Sequence, residues 1–170
     1  MSAWTTRPET FRDVADVRRV LQAAFPTAQE AELVDALRRD AAWLPGLAWV
    51  AEEPGGRVVG YALLTRCHVG EPPAPALALA PVAVLPAFQR RGVGEAVTAA
   101  ALHAAEQAGE RLVIVLGHPE YYPRFGFTRA SRFGIGVSFE VPDEALMALV
   151  LDVGADVPRG VVRYPAPFGV

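Results

Sequence analysis

Residues 76–95 read Ala76-Leu77-Ala78-Leu79-Ala80-Pro81-Val82-Ala83-Val84-Leu85-Pro86-Ala87-Phe88-Gln89-Arg90-Arg91-Gly92-Val93-Gly94-Glu95. No polar side chain occurs from Ala76 to Val84, which predicts a strand buried on both faces. Pro86 has no N–H to give to a ladder and ends that strand. Gly92 and Gly94 then open a helix that is expected to reach about Ala108, with Gly109 as its cap. Val93, Val97, Ala100, Ala101, Ala104 and Ala108 make the apolar stripe of this helix, with Glu95, Ala99, Leu102, His103, Glu106 and Glu110 on the other side. Arg111 to Leu116 is apolar and β-branched and predicts a second strand. A right-handed crossover through the helix places the two strands parallel in one sheet.

The bend between the first strand and the helix suits an anion. Without Cβ atoms at Gly92 and Gly94, the backbone N–H groups of Arg90 to Glu95 converge on one point. N–H groups in the first turn have no helical partners and carry the positive end of the helix dipole, which favours an anion by roughly 0.3–1 kcal/mol. Arg90 and Arg91 add charge, and a pyrophosphate is a natural occupant. The phosphate loop of NTPases requires a lysine, and this chain has none; the dinucleotide fingerprint fails because Val97 stands three residues after Gly94.

On the N-terminal side, Trp4 to Arg7 predicts a short strand. Val14, Val17, Leu21, Ala24 and Phe25 then mark one helical face, while Arg12, Asp13, Asp16, Arg18 and Arg19 face away. A second helix is expected from about Ala28 to Asp40. Leu47 to Glu52 and Val58 to Val69 predict a hairpin turned by Pro54-Gly55-Gly56. Beyond Phe127, shorter strands are expected around Gly136 to Val141, Leu146 to Asp152 and Val161 to Tyr164.

At 170 residues with 52% hydrophobic and 21% charged residues, the chain is expected to form one domain, residues 1–170, and is too apolar to be disordered. Its longest apolar stretch is interrupted by Pro75, Pro81 and Pro86 and cannot cross a bilayer as a helix. The first residues lack a basic-then-apolar leader, so a cytoplasmic location is expected. A formal charge of −3 argues against nucleic-acid partners. Cys67, the single cysteine, cannot form an internal disulfide, and His68, His103 and His118 lack metal-site spacing, so no metal is expected. Cys67 reads as a small buried hydrophobe, His103 as solvated, and Arg66 and His68 as residues of a partly exposed strand or of a substrate groove.

Gln89-x-x-Gly92-x-Gly94, preceded by Pro81-Val82-Ala83-Val84-Leu85-Pro86, resembles the central motif of the GCN5-related N-acetyltransferases (GNAT). Leu116 through Phe127 resembles the closing motif of that superfamily, and more narrowly that of its YhbS-type members. The likeness extends to Val141 through Met147 and to Arg163-Tyr164-Pro165. It implies an α/β fold: a central mixed twisted sheet with splayed central strands and helices on both faces. It implies acetyl-CoA as cosubstrate, with pantetheine pairing to the backbones of Val82, Ala83 and Val84. The pyrophosphate would sit on the loop of Gln89, Arg90, Arg91, Gly92, Val93, Gly94 and Glu95. The implied activity is direct transfer of an acetyl group to a primary amine of a small molecule or a protein.

The departing thiolate needs a proton, and a phenol with a pKa near ~10 keeps its own at neutral pH. The resemblance places such a phenol shortly before the Gly126-Phe127 pair, which assigns the acid to Tyr122, with Tyr121 as the fallback. No glutamate stands between Ala76 and Val84 to serve as the base that some members carry there; Glu71, His118, Glu120 and a water chain remain open. The missing carboxylate also leaves open a catalytically decayed CoA-binding module. An O-acyltransferase or a user of longer acyl-CoA chains is a further alternative. Family members are often homodimers, and the C-terminal strands could pair between chains.

Overall fold

A computed structural model of the chain describes residues 4–170. The elements follow in the order β1 (Thr5–Pro8), α1 (Val14–Ala24), α2 (Gln29–Arg38), β2 (Trp43–Glu52), β3 (Val58–Val69), β4 (Ala74–Val84), α3 (Val93–Gln107), β5 (Leu112–Leu116), β6 (Thr128–Arg129), β7 (Ile135–Gly136), β8 (Leu146–Val150) and β9 (Gly160–Arg163). The sheet runs β1-β2-β3-β4-β5-β8-β6, and β9 pairs with both β3 and β7. It is the mixed, open sheet expected, with helices on both faces. The C-terminal strands find their partners within the chain, β8 between β5 and β6, and β9 on His68 and Val69 of β3. None of the helices of the described residues is long and apolar enough to cross a membrane.

Period-two alternation sorts β4 and β5 between two cores. Leu77, Leu79, Val113 and Val115 join the main core with α1, α2 and α3. Ala76, Ala78, Leu112 and Ile114 face a smaller core closed by Ala130, Ile135 and Val162. Full burial of β4 holds only in its first half. Ala80, Val82 and Val84 are half-buried, because β5 does not accompany them. The parallel pairing of β4 with β5 consists of Leu77 opposite Val113 and Ala78 opposite Ile114. On the other edge of β4, Ala62 faces Val82 and Leu64 faces Leu79, so Ala80 and Pro81 together oppose the single residue Leu63. That bulge bends β4 just where the two central strands part.

Two faces differ from the pattern read in the sequence. Thr98 and Leu102 of α3 are buried beside Val93, Val97, Ala101 and Ala105, so the stripe is turned towards Leu102. Glu110 is not a solvated neighbour of His103; it forms a bidentate pair with Arg66 at 2.7 and 2.8 Å. That pair occupies Arg66 structurally and clips the end of α3 to β3.

Asp13 does not face away from the core. It is 4% exposed, and both its oxygens take Arg7 N–H groups, at 2.7 and 2.8 Å. The Thr10 N–H and hydroxyl donate to the same carboxylate at 2.7 and 3.1 Å, the reciprocal half of a capping box. Arg7 also donates to Glu52 at 2.7 Å, so β1, β2 and the approach to α1 meet at one guanidinium. These hydrogen bonds, led by that from Arg7, hold the Asp13 carboxyl down at about 2. A lowered carboxyl pKa stabilises the fold in full above about pH 4, the unfolded value, and the contribution is lost as pH falls through about 2. Asp13→Asn is therefore expected to cost about 2 kcal/mol at pH 7, and the gap to the unsubstituted chain should close between about pH 4 and 2. Urea unfolding across that range checks both; a gap independent of pH would refute the ion-pair account.

Candidate active site

From Leu79 onward, the edge of β4 that faces away from β3 has no strand beside it. Leu85 donates its N–H to the Val59 carbonyl at 2.9 Å, which fixes the phase of the ladder. Alternation then turns the Ala83 amide towards Tyr61 of β3, and the Val82 and Val84 groups towards the open edge. The Val84 carbonyl already accepts a hydrogen bond from Gln89 Nε2 at 3.1 Å, tying the loop back to the strand end.

The loop turns sharply because Arg90 and Gly92 both lie in the left-handed region, at φ 61° and 86°. For Gly92, the helix N-cap, that conformation is sterically free, whereas for Arg90 it is uncommon. The first described helical bond of α3 runs from the Ala96 N–H to the Gly92 carbonyl at 3.0 Å, so the N–H groups of Val93, Gly94 and Glu95 precede the ladder. The helix can start this close to the sheet because Gly60 of β3 has no side chain. A Cβ there would lie 2.5 Å from Val93 Cγ1.

A cavity of about 650 Å³ lies between this loop and the open edge. Val82, Ala83, Val84, Gln89, Arg90, Gly92, Val93, Gly94 and Glu95 all line it, together with Ala24, Phe25, His118, Tyr121, Tyr122 and Arg124. Of the loop residues singled out in the sequence, Arg91 alone does not line it. Its guanidinium lies 5.3 Å from the Trp4 ring and 5.2 Å from the Phe88 ring, and its carbonyl accepts the Trp4 Nε1–H at 2.9 Å. Arg91 thus anchors the outside of the loop to the N-terminal strand. Arg90 forms no ion pair with another described residue. Arg124 stacks 4.3 Å from the centre of the Tyr121 ring, donates to the Tyr121 carbonyl at 2.8 Å, and stands 3.6 Å from Glu95.

A second cavity, about 550 Å³, opens on the other side of the gap. Phe25, Val82, His118 and Tyr122 line both. Tyr122 stands in the turn after β5, packed edge-on against Phe127 at 5.8 Å and Tyr121 at 5.0 Å. Its ring lies flush on Gly117, where a Cβ would come within 2.4 Å of it. Burial, with Tyr121 adding to it, pushes the Tyr122 phenol up to about 12. The hydroxyl therefore remains a proton donor throughout the neutral range. Tyr121 lines only the loop-side cavity; its hydroxyl would lie 3.0 Å from a Cβ on Gly94.

Of the side chains considered as bases, His118 lines the junction. Glu71 is ion-paired with Arg163, and Glu120 lines neither cavity. Cys67 is fully buried in the smaller core, and burial pushes its thiol up to about 12, which rules it out as a nucleophile. Among the described residues no group of histidine, cysteine, aspartate or glutamate side chains could hold a metal ion.

Residues 14–127 match the model of the acetyltransferase (GNAT) family. The chain belongs to the GNAT family. It is 37% identical over 135 residues, 78% of this chain and 74% of the relative, to the uncharacterized N-acetyltransferase YjhQ of Escherichia coli K12. A GNAT acetyltransferase of Brucella melitensis, solved in complex with acetyl-CoA, is 32% identical and superposes with a TM-score of 0.78 over 97% of both chains. Escherichia coli YhbS, solved in complex with CoA, shares the fold with a TM-score of 0.89 over 100% of this chain and 94% of that one, at 24% identity.

Several residues of this GNAT site carried no usable signal in the sequence. Phe25 and Ala24 end an amphipathic helix and read as core. Arg124 sits inside the closing motif, yet its place over Tyr121 and beside Glu95 depends on the turn. Phe139, Tyr164 and Phe168 come from segments without strong periodicity and meet only in three dimensions. Since the Tyr122 ring rests on Gly117, Gly117→Ala is expected to lift it towards solvent and bring its phenol pKa down towards 10, with far-UV circular dichroism retained. Titration of the tyrosine ring carbons by NMR reads this directly, and an unmoved Tyr122 resonance would refute the contact.

Proposed function

We propose that this chain transfers the acetyl group of acetyl-CoA directly to an amine. The observation that carries the reading is the meeting of two cavities at one half-buried phenol: a loop-side cavity at an open strand edge, and a largely apolar one opposite. The residues fit the cosubstrate. The open edge at Val82 and Val84 offers amide and carbonyl groups to a pantetheine arm, and Gln89 holds the end of that edge in place. The N–H groups of Val93, Gly94 and Glu95 offer donors to a pyrophosphate, with Arg90, which has no ion pair with another described residue, beside them. When bound, acetyl-CoA supplies an activated acyl group.

The rest belongs to the chain. An amine in the second cavity attacks in its unprotonated form, the bond from its nitrogen to the acyl carbon forms, and the carbon–sulfur bond breaks. Tyr122 gives its proton to the departing sulfur. His118, the histidine at the junction, takes the proton that the attacking nitrogen sheds. Excluding water between Phe25, Val82 and Tyr122 favours transfer to nitrogen over hydrolysis.

Tyr122→Phe is expected to slow the release of CoA thiol with an accepting amine by about a hundredfold or more, while acetyl-CoA affinity by calorimetry changes less than about threefold. Unchanged turnover would remove Tyr122 from the mechanism, and tight binding without turnover on any amine would favour a decayed binding module. With its phenol held near 12, Tyr122 stays protonated through the assay range, so kcat of the unsubstituted chain should show no alkaline fall up to about pH 10. A fall centred below that value would mean that another group is the acid.

A further inference from the structure

Building on the acetyl-transfer reading, we propose that the acceptor is a primary amine on an aromatic or aliphatic body without an anionic group, and that Glu30 selects it. The cavity opposite the glycine loop has about the volume of a small-molecule site, about 550 Å³. Its walls come from Phe25, Leu33, Leu116, Phe139, Tyr164 and Phe168. The last three rings stand in sequence, Phe139 to Tyr164 at 6.3 Å and Tyr164 to Phe168 at 5.3 Å, and form a continuous aromatic side. A flat apolar body gains contact and loses water against such a side.

The charge of the cavity is one-sided. Glu30, in the first turn of α2, lines it and is half-buried, and no arginine does. Asp35 is paired with Arg18 and Asp16 with Arg19, whereas Glu30 and the exposed Glu32 have no ion pair with a described residue, and of these two only Glu30 lines this cavity. A carboxylate left without a cation at an apolar wall complements an ammonium. It repels the carboxylate of an amino acid or a phosphate group. Amines ionise near the lysine value of about 10.4, so the ammonium form predominates at neutral pH and is the one that Glu30 captures. The ammonium gives up one proton to solvent water as the amine moves from Glu30 to the His118 and Tyr122 end of the cavity, and His118 takes the second as the amide forms. Glu30 therefore acts on capture, which places its effect in KM.

Three probes test this on the full chain saturated with acetyl-CoA: 2-phenylethylamine, phenylalanine, which has the same body plus a carboxylate, and spermidine, which has several charges and little apolar surface. The expected order of kcat/KM is 2-phenylethylamine first, by about tenfold or more over either of the others. Glu30→Gln should raise KM for 2-phenylethylamine about fivefold, as for a partly exposed ion pair, with kcat and the KM for acetyl-CoA retained, and should narrow the gap to phenylalanine. Phenylalanine or spermidine preferred over 2-phenylethylamine, or a Glu30→Gln KM equal to that of the unsubstituted chain, overturns the proposal. Calorimetric titration of the CoA-loaded chain with 2-phenylethylamine gives a readout free of turnover, in which Glu30→Gln should weaken binding by the same factor. If acetyl-CoA binds but 2-phenylethylamine does not, the acceptor assignment fails and the transferase reading stands. If 2-phenylethylamine binds in a Glu30-dependent way but acetyl-CoA does not, the transferase reading fails and the amine site stands.

Discussion

Two residues of parallel pairing hold the halves of the sheet together, and everything of chemical interest follows from how short that pairing is. Leu77 and Ala78 meet Val113 and Ile114, and beyond them β4 and β5 part. The parting has local causes. Ala80 and Pro81 bulge against Leu63, and Pro81 has no N–H for any neighbour. On the other side, β5 ends at Leu116 and the chain turns at Gly117. Unpaired backbone inside a protein must find partners. Here part of the need is met by Gln89 on the Val84 carbonyl, and the rest of the edge faces a cavity.

Close approach, enabled by missing side chains, builds the walls of that gap. Gly60 lets Val93 bring the start of α3 onto the sheet, and Gly117 lets the Tyr122 ring lie against the end of β5. Val93 and Tyr122, brought in by these two contacts, both line the loop-side cavity. Arg91 braces the loop from outside between Trp4 and Phe88, so the strained turn at Arg90 is supported by packing rather than by the cavity itself. A phenol held in such a place is desolvated, and the same burial that orients Tyr122 keeps it protonated. Position and proton inventory thus come from one packing arrangement.

The second cavity is built from two sources. Its floor comes from the splayed strands, but its walls come from α2 and from the C-terminal segments around Phe139, Tyr164 and Phe168. These segments also close the smaller core, so the residues that shape the cavity are held by the ordinary work of covering the second face of β4 and β5. The cavity wall and the smaller core therefore share the same side chains at Tyr164 and Phe168.

The order of local patterns was legible in the chain itself. An all-apolar run closed by Pro86, a Gly92-x-Gly94 turn and an apolar β-branched run after a helix determine a parallel crossover with an anion-suited bend, because period, proline and glycine act on their immediate neighbours. Nine of the ten residues expected around the cosubstrate line one cavity, the exception being Arg91, whose side chain packs against the nearby Phe88 and against Trp4, 87 residues away along the chain. The sequence did not reveal that Asp13 is buried by Arg7, that Leu102 turns inward, or that Glu110 is claimed by Arg66. The first depends on how β1 folds back over the start of α1, the second on the rotation of a helix on its sheet, and the third on a partner 44 residues away. Only the tertiary structure decided that Tyr122 and His118 stand where two cavities meet and that Glu30 lines one of them together with Phe139, Tyr164 and Phe168, because those neighbours are brought together by the packing of the closed fold and by no spacing along the chain.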